Sequence, residues 1–237
     1  PECDQFNGIH EGLVQSWKDI FPKKGEIHFA GALENNEDTG TLQYLASTAM
    51  EAGFSTRVLD MQALDLQNGR FFDPAGELVN RCFKLYPWEW MVDESPDGCL
   101  AEMEWLEPIW KLVMSNKAIL ATLYELFPDS PYVLPCYLSR PRSGLFCKKP
   151  VFSREGHNVS VVDIRDWEEY VRIAETEGDY NTGAYVYQEY VEPTAYSGRY
   201  PVIGSWIIGG EAAGIGIREN RMEVTDNLSE FVPHIIG

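Results

Sequence analysis

The sequence predicts an α/β layer followed by an α+β region. Three observations carry that expectation. A strand–helix–strand pattern with short connections fills residues 26 to 59, a helical period runs over Trp110–Phe127, and short strands separated by Gly, Asn and Pro turns begin at Leu145.

Taken in order, Glu26–Ala30 (EIHFA) is the first strand, and Glu34–Asp38 is a polar turn. A helix follows, capped by Thr39 or Thr41. Leu42, Leu45, Ala46, Ala49 and Met50 recur at helical spacing until Ala52-Gly53 stops it. Phe54–Leu59 is the second strand, which makes a parallel, Rossmann-like layer. It has no GxGxxG, so no dinucleotide site is expected there.

Asn68-Gly69-Arg70 and Asp73-Pro74-Ala75-Gly76 supply turns before the aromatic stretch Phe83–Trp90, and acidic Asp93–Asp97 reads as a loop. Trp110–Phe127 reads as one helix, ended by Pro128. The later strands are Leu145–Phe152, Val159–Asp163, Ala184–Tyr190, Val202–Ile208 and Ala213–Arg218, the last two joined as a hairpin by Gly209-Gly210.

A formal net charge of −18 argues against a nucleic-acid partner, because phosphate backbones are bound by Lys and Arg. It suits a cationic ligand, and equally a surface kept soluble by repulsion. No run approaches the roughly 18 apolar residues that a membrane helix needs. Five dispersed cysteines without CxxC spacing point to reduced thiols and a cytoplasmic setting. The chain opens Pro1-Glu2-Cys3-Asp4 without Met or a leader, so an N-terminally truncated fragment is expected.

Two stretches carry candidate chemistry. Lys148-Lys149-Pro150 ends an apolar strand beside the loop Ser153-Arg154-Glu155-Gly156-His157-Asn158, where backbone N–H groups can face phosphate. The alternative is a hairpin with a solvated lysine pair. Arg218 ends another apolar strand, either at a pocket rim or in a surface ion pair with Glu219 or Glu223. His157 and His234 are isolated, and no metal ligand is assigned in the chain. Trp88, Trp90, Trp105, Trp110 and Tyr86 read as packing residues.

The ordered segments EPIWKLVMSNKAILATLYELFPDSPYVLP, CKKPVFSREGHNV, YVYQEYVEP, VIGSWIIGGEAAGIGIRE and TDNLSEFVPHII resemble the synthetase domain of the glutathionylspermidine synthase family. The resemblance implies a Rossmann-like pre-ATP-grasp domain over residues 1–108 and an ATP-grasp-like nucleotide-binding region over 109–237. It implies an ATP-dependent carboxylate–amine ligase working through an acyl phosphate, with ATP and Mg²⁺ as cofactors. The substrates would be a small-molecule or peptide carboxylate and an amine, with polyamines among the candidates.

By that resemblance Lys117 and Lys149 contact phosphate, and Ser153, Gly156 and Asn158 lie in a mobile loop covering it. Gln188, Glu189 and Tyr190 form the adenine-contacting strand, and Arg218 is the catalytic arginine near the transferring phosphoryl group. The family's acidic metal-ligand segment has no match in residues 1 to 237 and is expected before Pro1, which would leave this fragment inactive by itself. A lysine near the family's C-terminus has no counterpart in Thr225–Ser229, which leaves the substrates open. Two other readings share these motifs: a non-catalytic nucleotide-binding sensor or scaffold, and a peptide or amino-acid ligase.

Overall fold

The computed structural model describes residues 4–166, 169–180, 183–224 and 229–236. The chain divides into two compact units. The first comprises Phe6–Leu112 and Ser205–Gly214, and the second Pro1–Gln5, Val113–Gly204 and Ile215–Gly237.

The first unit opens with α1 (Ile9–Ile20), β1 (Glu26–Gly31), α2 (Asn36–Glu51) and β2 (Ser55–Asp60). Three short strands follow, β3 (Asp65–Gln67), β4 (Arg70–Phe72) and β5 (Leu78–Val79), paired as an antiparallel sheet. β6 (Arg81–Leu85), α3 (Trp88–Glu94), α4 (Pro96–Cys99) and β7 (Glu104–Leu106) complete it. The main sheet has the order β2-β1-β6-β7 and is parallel throughout. A parallel strand is covered on both faces, so β1 reads as a nearly continuous apolar run.

One face of that sheet packs α1 and α2 through Trp17, Phe29, Leu42 and Phe54. The other packs Phe71, Val79, Trp88, Met91 and Trp105. Each such large side chain contributes about 1.5–3 kcal/mol when fully buried. Gly31 closes β1 tightly: a Cβ there would meet Leu42 Cδ1 at 2.9 Å and the Leu85 carbonyl oxygen at 3.1 Å.

The parallel layer is as expected, but α2 begins three residues before Thr39. Asn35 is its cap, its side chain accepting from the Glu37 N–H at 2.8 Å, so the polar run is a helix start rather than a turn. The acidic stretch is also largely helical: Asp93 and Glu94 close α3, and Pro96 opens α4 at a position that needs no N–H. Trp88 and Trp105 pack as expected, whereas Trp90 and Trp110 are exposed.

The second unit begins along α5 (Leu112–Ser115), then α6 (Ala118–Leu126). The expected single helix breaks at Asn116-Lys117. There the Asn116 side chain accepts from the Ala118 N–H, and the Lys117 N–H is drawn to the Val151 carbonyl. β8 (Cys136–Tyr137), β9 (Gly144–Pro150), β10 (Ser160–Ile164), β11 (Tyr170–Glu175) and β12 (Tyr185–Glu189) form an antiparallel sheet of order β11-β10-β9-β12-β8. α6 covers one face at Ala121, Cys136, Val151 and Val186, and Phe146, Val162 and Ile164 cluster on the other.

β13 (Tyr200–Ile208), β14 (Glu211–Asn220) and β15 (Glu230–Val232) form a third sheet. The expected hairpin turns at Gly209 and Gly210, both with positive φ. Its tip belongs to the first unit, where a Cβ on Gly12 of α1 would meet the Ile208 side chain at 3.6 Å. No described helix is long and apolar enough to cross a membrane.

Candidate nucleotide site

The second unit holds all the sequence-predicted residues, and two of them, Lys149 and Gln188, share one sheet face. Lys149 and Lys148 are neighbours on β9, so they point to opposite faces. Lys149 lies on the face that α6 covers, since it is directly opposite the buried Val186. Its ammonium donates to Gln188 Oε1 at 2.7 Å. Lys148 sits on the other face, 4.0 Å from the ring centroid of Tyr185. The two lysines are therefore neither one phosphate cluster nor a solvated pair.

Lys117 stands in the break between α5 and α6, and its ammonium donates to both the carbonyl and the Oγ of Ser153. The break that interrupts the helix is thus what aims this lysine at the β9–β10 loop. Cys136 and Cys147 share the face with Lys149. Burial pushes both thiols above their usual range, against the opposing pull of the Lys149 charge.

The β9–β10 loop carries positive φ at Glu155, Gly156 and Asn158. It is tied to the next strand connection by hydrogen bonds: Thr176 Oγ1 donates to the Gly156 carbonyl, and Asn158 Nδ2 donates to the Gly178 carbonyl at 2.9 Å. Asn158 Oδ1 accepts from the Tyr180 N–H at 2.7 Å. Asn158 acts as a bracket between two segments, a role its sequence position did not reveal.

Gln188 and Glu189 end β12, and Tyr190 follows directly after it. The Glu189 and Tyr190 N–H groups already donate to the carbonyls of Pro135 and Leu145, so these two are not available to a purine edge. The Tyr190 hydroxyl donates to Glu223 at 2.7 Å, which raises its pKa, with burial adding to the effect. Arg218, on β14, lies 5.9 Å from the Phe231 ring and makes no hydrogen bond or ion pair among the described residues. The surface-pair alternative is not formed: Glu219 faces Arg199 at 4.0 Å, and Glu223 takes Tyr190. The structure brings Lys117 to Ser153 and Lys149 to Gln188, and records no contact between Arg218 and either lysine.

Among the described residues no group of three His, Cys, Asp or Glu side chains is placed to hold a metal ion. Thr225–Leu228, weighed above for the absent lysine, lie outside the described residues.

Known proteins match this architecture. A provisionally named acid–amine ligase of Haemophilus influenzae is 35% identical over 98% of this chain and 62% of its own length. Trypanothione synthetase of Crithidia fasciculata is 28% identical over 87% of this chain and 35% of its length. The bifunctional glutathionylspermidine synthetase/amidase of Escherichia coli is 26% identical over 97% of this chain and 42% of its length. The chain thus spans between about a third and two thirds of these relatives.

A solved structure from Methylobacillus flagellatus, provisionally named γ-glutamylcysteine synthetase, superposes with a TM-score of 0.60 at 9% identity. It covers 97% of this chain and 75% of its own, and shows a shared fold. The family model described as "Glutathionylspermidine synthase preATP-grasp" matches residues 1–237. The chain belongs to the glutathionylspermidine synthase family.

Proposed function

We propose that this chain is the nucleotide-binding part of an ATP-dependent carboxylate–amine ligase. Residues 1–108 would be its pre-ATP-grasp-like part and 109–237 its ATP-grasp-like region, in a cytoplasmic protein extended at the N-terminus. The observation that carries the reading is the Lys149–Gln188 pair. The acceptor is a neutral amide, so no counter-charge is spent on the lysine in this contact, and on a half-buried sheet face it can exchange that partner for phosphate.

In such a ligase a carboxylate takes the terminal phosphoryl group of ATP, and an amine then displaces phosphate from the acyl phosphate. Lys149 and Lys117 would hold phosphate charge, with the Ser153, Gly156 and Asn158 loop alongside. Gln188, Glu189 and Tyr190 would border the adenine, with N–H donors to its edge supplied from Val191 onward. Arg218 would offer its guanidinium to the moving phosphoryl group. By the family resemblance, the metal ligands would come from a segment before Pro1.

The test is ADP release by the complete gene product with Mg-ATP across a panel of thiol peptides and polyamines. Lys149→Ala and Arg218→Ala serve as controls. Release that requires both an acid and an amine, and that both substitutions abolish, is the expected outcome. Measurable ATP binding with no release on any pair would overturn the ligase reading.

A further inference from the structure

The first unit contains a pocket unconnected with the lysines described above. It lies at the carboxyl edge of the parallel sheet, between the turn after β2 and the start of α3, with a volume of about 180 Å³. Carboxyl edges of parallel strands are where α/β layers present ligand sites, because the connecting loops diverge there. Met61, Leu64, Leu66, Phe71 and Met91 make its apolar walls, and Gln62, Tyr86, Glu94 and Ser95 supply its polar rim, in which Glu94 is, among the described residues, the one charged side chain.

The rim is negative. Glu94 Oε2 accepts from the Tyr86 hydroxyl at 2.6 Å, and Glu94 is exposed, so its Oε1 can accept a second donor. Asp60 also acts on the Tyr86 hydroxyl through its charge, while its own oxygens accept from the Leu33 and Gln62 N–H groups. No lysine or arginine lines the pocket. Lys84, two residues before Tyr86, is committed to the Tyr86 carbonyl at 2.6 Å and stacks 3.8 Å from the Trp88 ring centroid.

We infer that this pocket binds the alkylammonium end of a ligand, with the chain against Leu64, Leu66 and Met91 and the ammonium on Glu94. An apolar hollow alone would take any hydrocarbon. A carboxylate at its mouth with no opposing cation in the lining selects a cation. At this size the pocket takes a short alkylamine or the end of a longer one, below the range usual for whole drug-sized ligands. The inference rests on the ligase reading only for what the amine is for; binding itself is a property of the first unit.

The experiment is an amide-resolved NMR titration of the 237-residue chain with n-butylammonium, with 1-butanol of equal chain length as the uncharged probe. Saturable shifts confined to residues 61–66 and 86–95, and about tenfold weaker binding of butanol, are expected. Glu94→Gln, at an exposed position, should weaken the amine about tenfold without altering the butanol. Leu66→Trp should fill the hollow and remove both.

Equal affinity for the two probes, shifts elsewhere, or no saturable shift overturns the inference. Amine-dependent ADP release by the complete protein without butylammonium shifts here would sink this inference and leave the ligase reading standing. Binding here with no ADP release would do the reverse.

Discussion

Lys149 Nζ and Gln188 Oε1 meet at 2.7 Å along a diagonal of the β9–β12 pair. Diagonal neighbours on one face are within reach only of long side chains, so the contact needs both residues. A carboxylate in place of that amide would neutralise the lysine in its resting position. Gln188→Glu should therefore lower affinity for a fluorescent ATP analogue about tenfold while the melting temperature stays near the parent's. Unchanged affinity would separate Lys149 from the nucleotide site.

Lys117 has two acceptors on one residue, and only one of them is a side chain. Ser153→Ala leaves the carbonyl in place, so it should cost about 1 kcal/mol or less and change nucleotide affinity by less than about threefold. Lys117→Met removes the charge itself and should weaken binding about tenfold. Equilibrium binding of the two variants side by side checks the contrast.

Lys84 is almost fully buried, and burial lowers its pKa to about 8 from an ordinary 10.5. Between those values the unfolded chain holds more protons than the folded one, so stability from this group rises with pH across that window. Lys84→Met lacks the penalty. Its advantage over the parent should be largest at pH 7 and shrink by a few kcal/mol, of order 3, by pH 10. Urea unfolding of both proteins at pH 7 and pH 10 measures it.

Gly31 has no room for a side chain between Leu42 and the Leu85 carbonyl. Gly31→Ala should destabilise by about 1–3 kcal/mol, because one of the obstacles is backbone and cannot change rotamer. Thermal unfolding gives the value, and a neutral result would mean that β1 and β6 separate easily.

Much of this was legible in the sequence. The layer β1–α2–β2 follows from apolar runs and a 3.6 period, signals that depend only on near neighbours. The strands β9, β10 and β12 followed for the same reason. What escaped is non-local. The break before α6 is made in part by the Val151 carbonyl far along the chain. The start of α2 is a local exception, an asparagine cap inside what reads as a turn. β7, three residues long, exists because β6 supplies a partner. At the site, Lys149, Lys117 and Ser153 were named from their segments, but their acceptors depend on strand register. The Asn158 bracket and the Tyr190–Glu223 bond were hidden for that reason too.

The thiols offer a last consequence. Cys82, Cys99, Cys136 and Cys147 all have burial as the main effect on their ionisation, and each is pushed upward, Cys82 to about 12. Exchange with a disulfide proceeds through the thiolate, so these sulfurs make poor attackers near neutrality. Among the described residues, then, each cysteine is a slow partner for small disulfides and resists capture as a mixed disulfide.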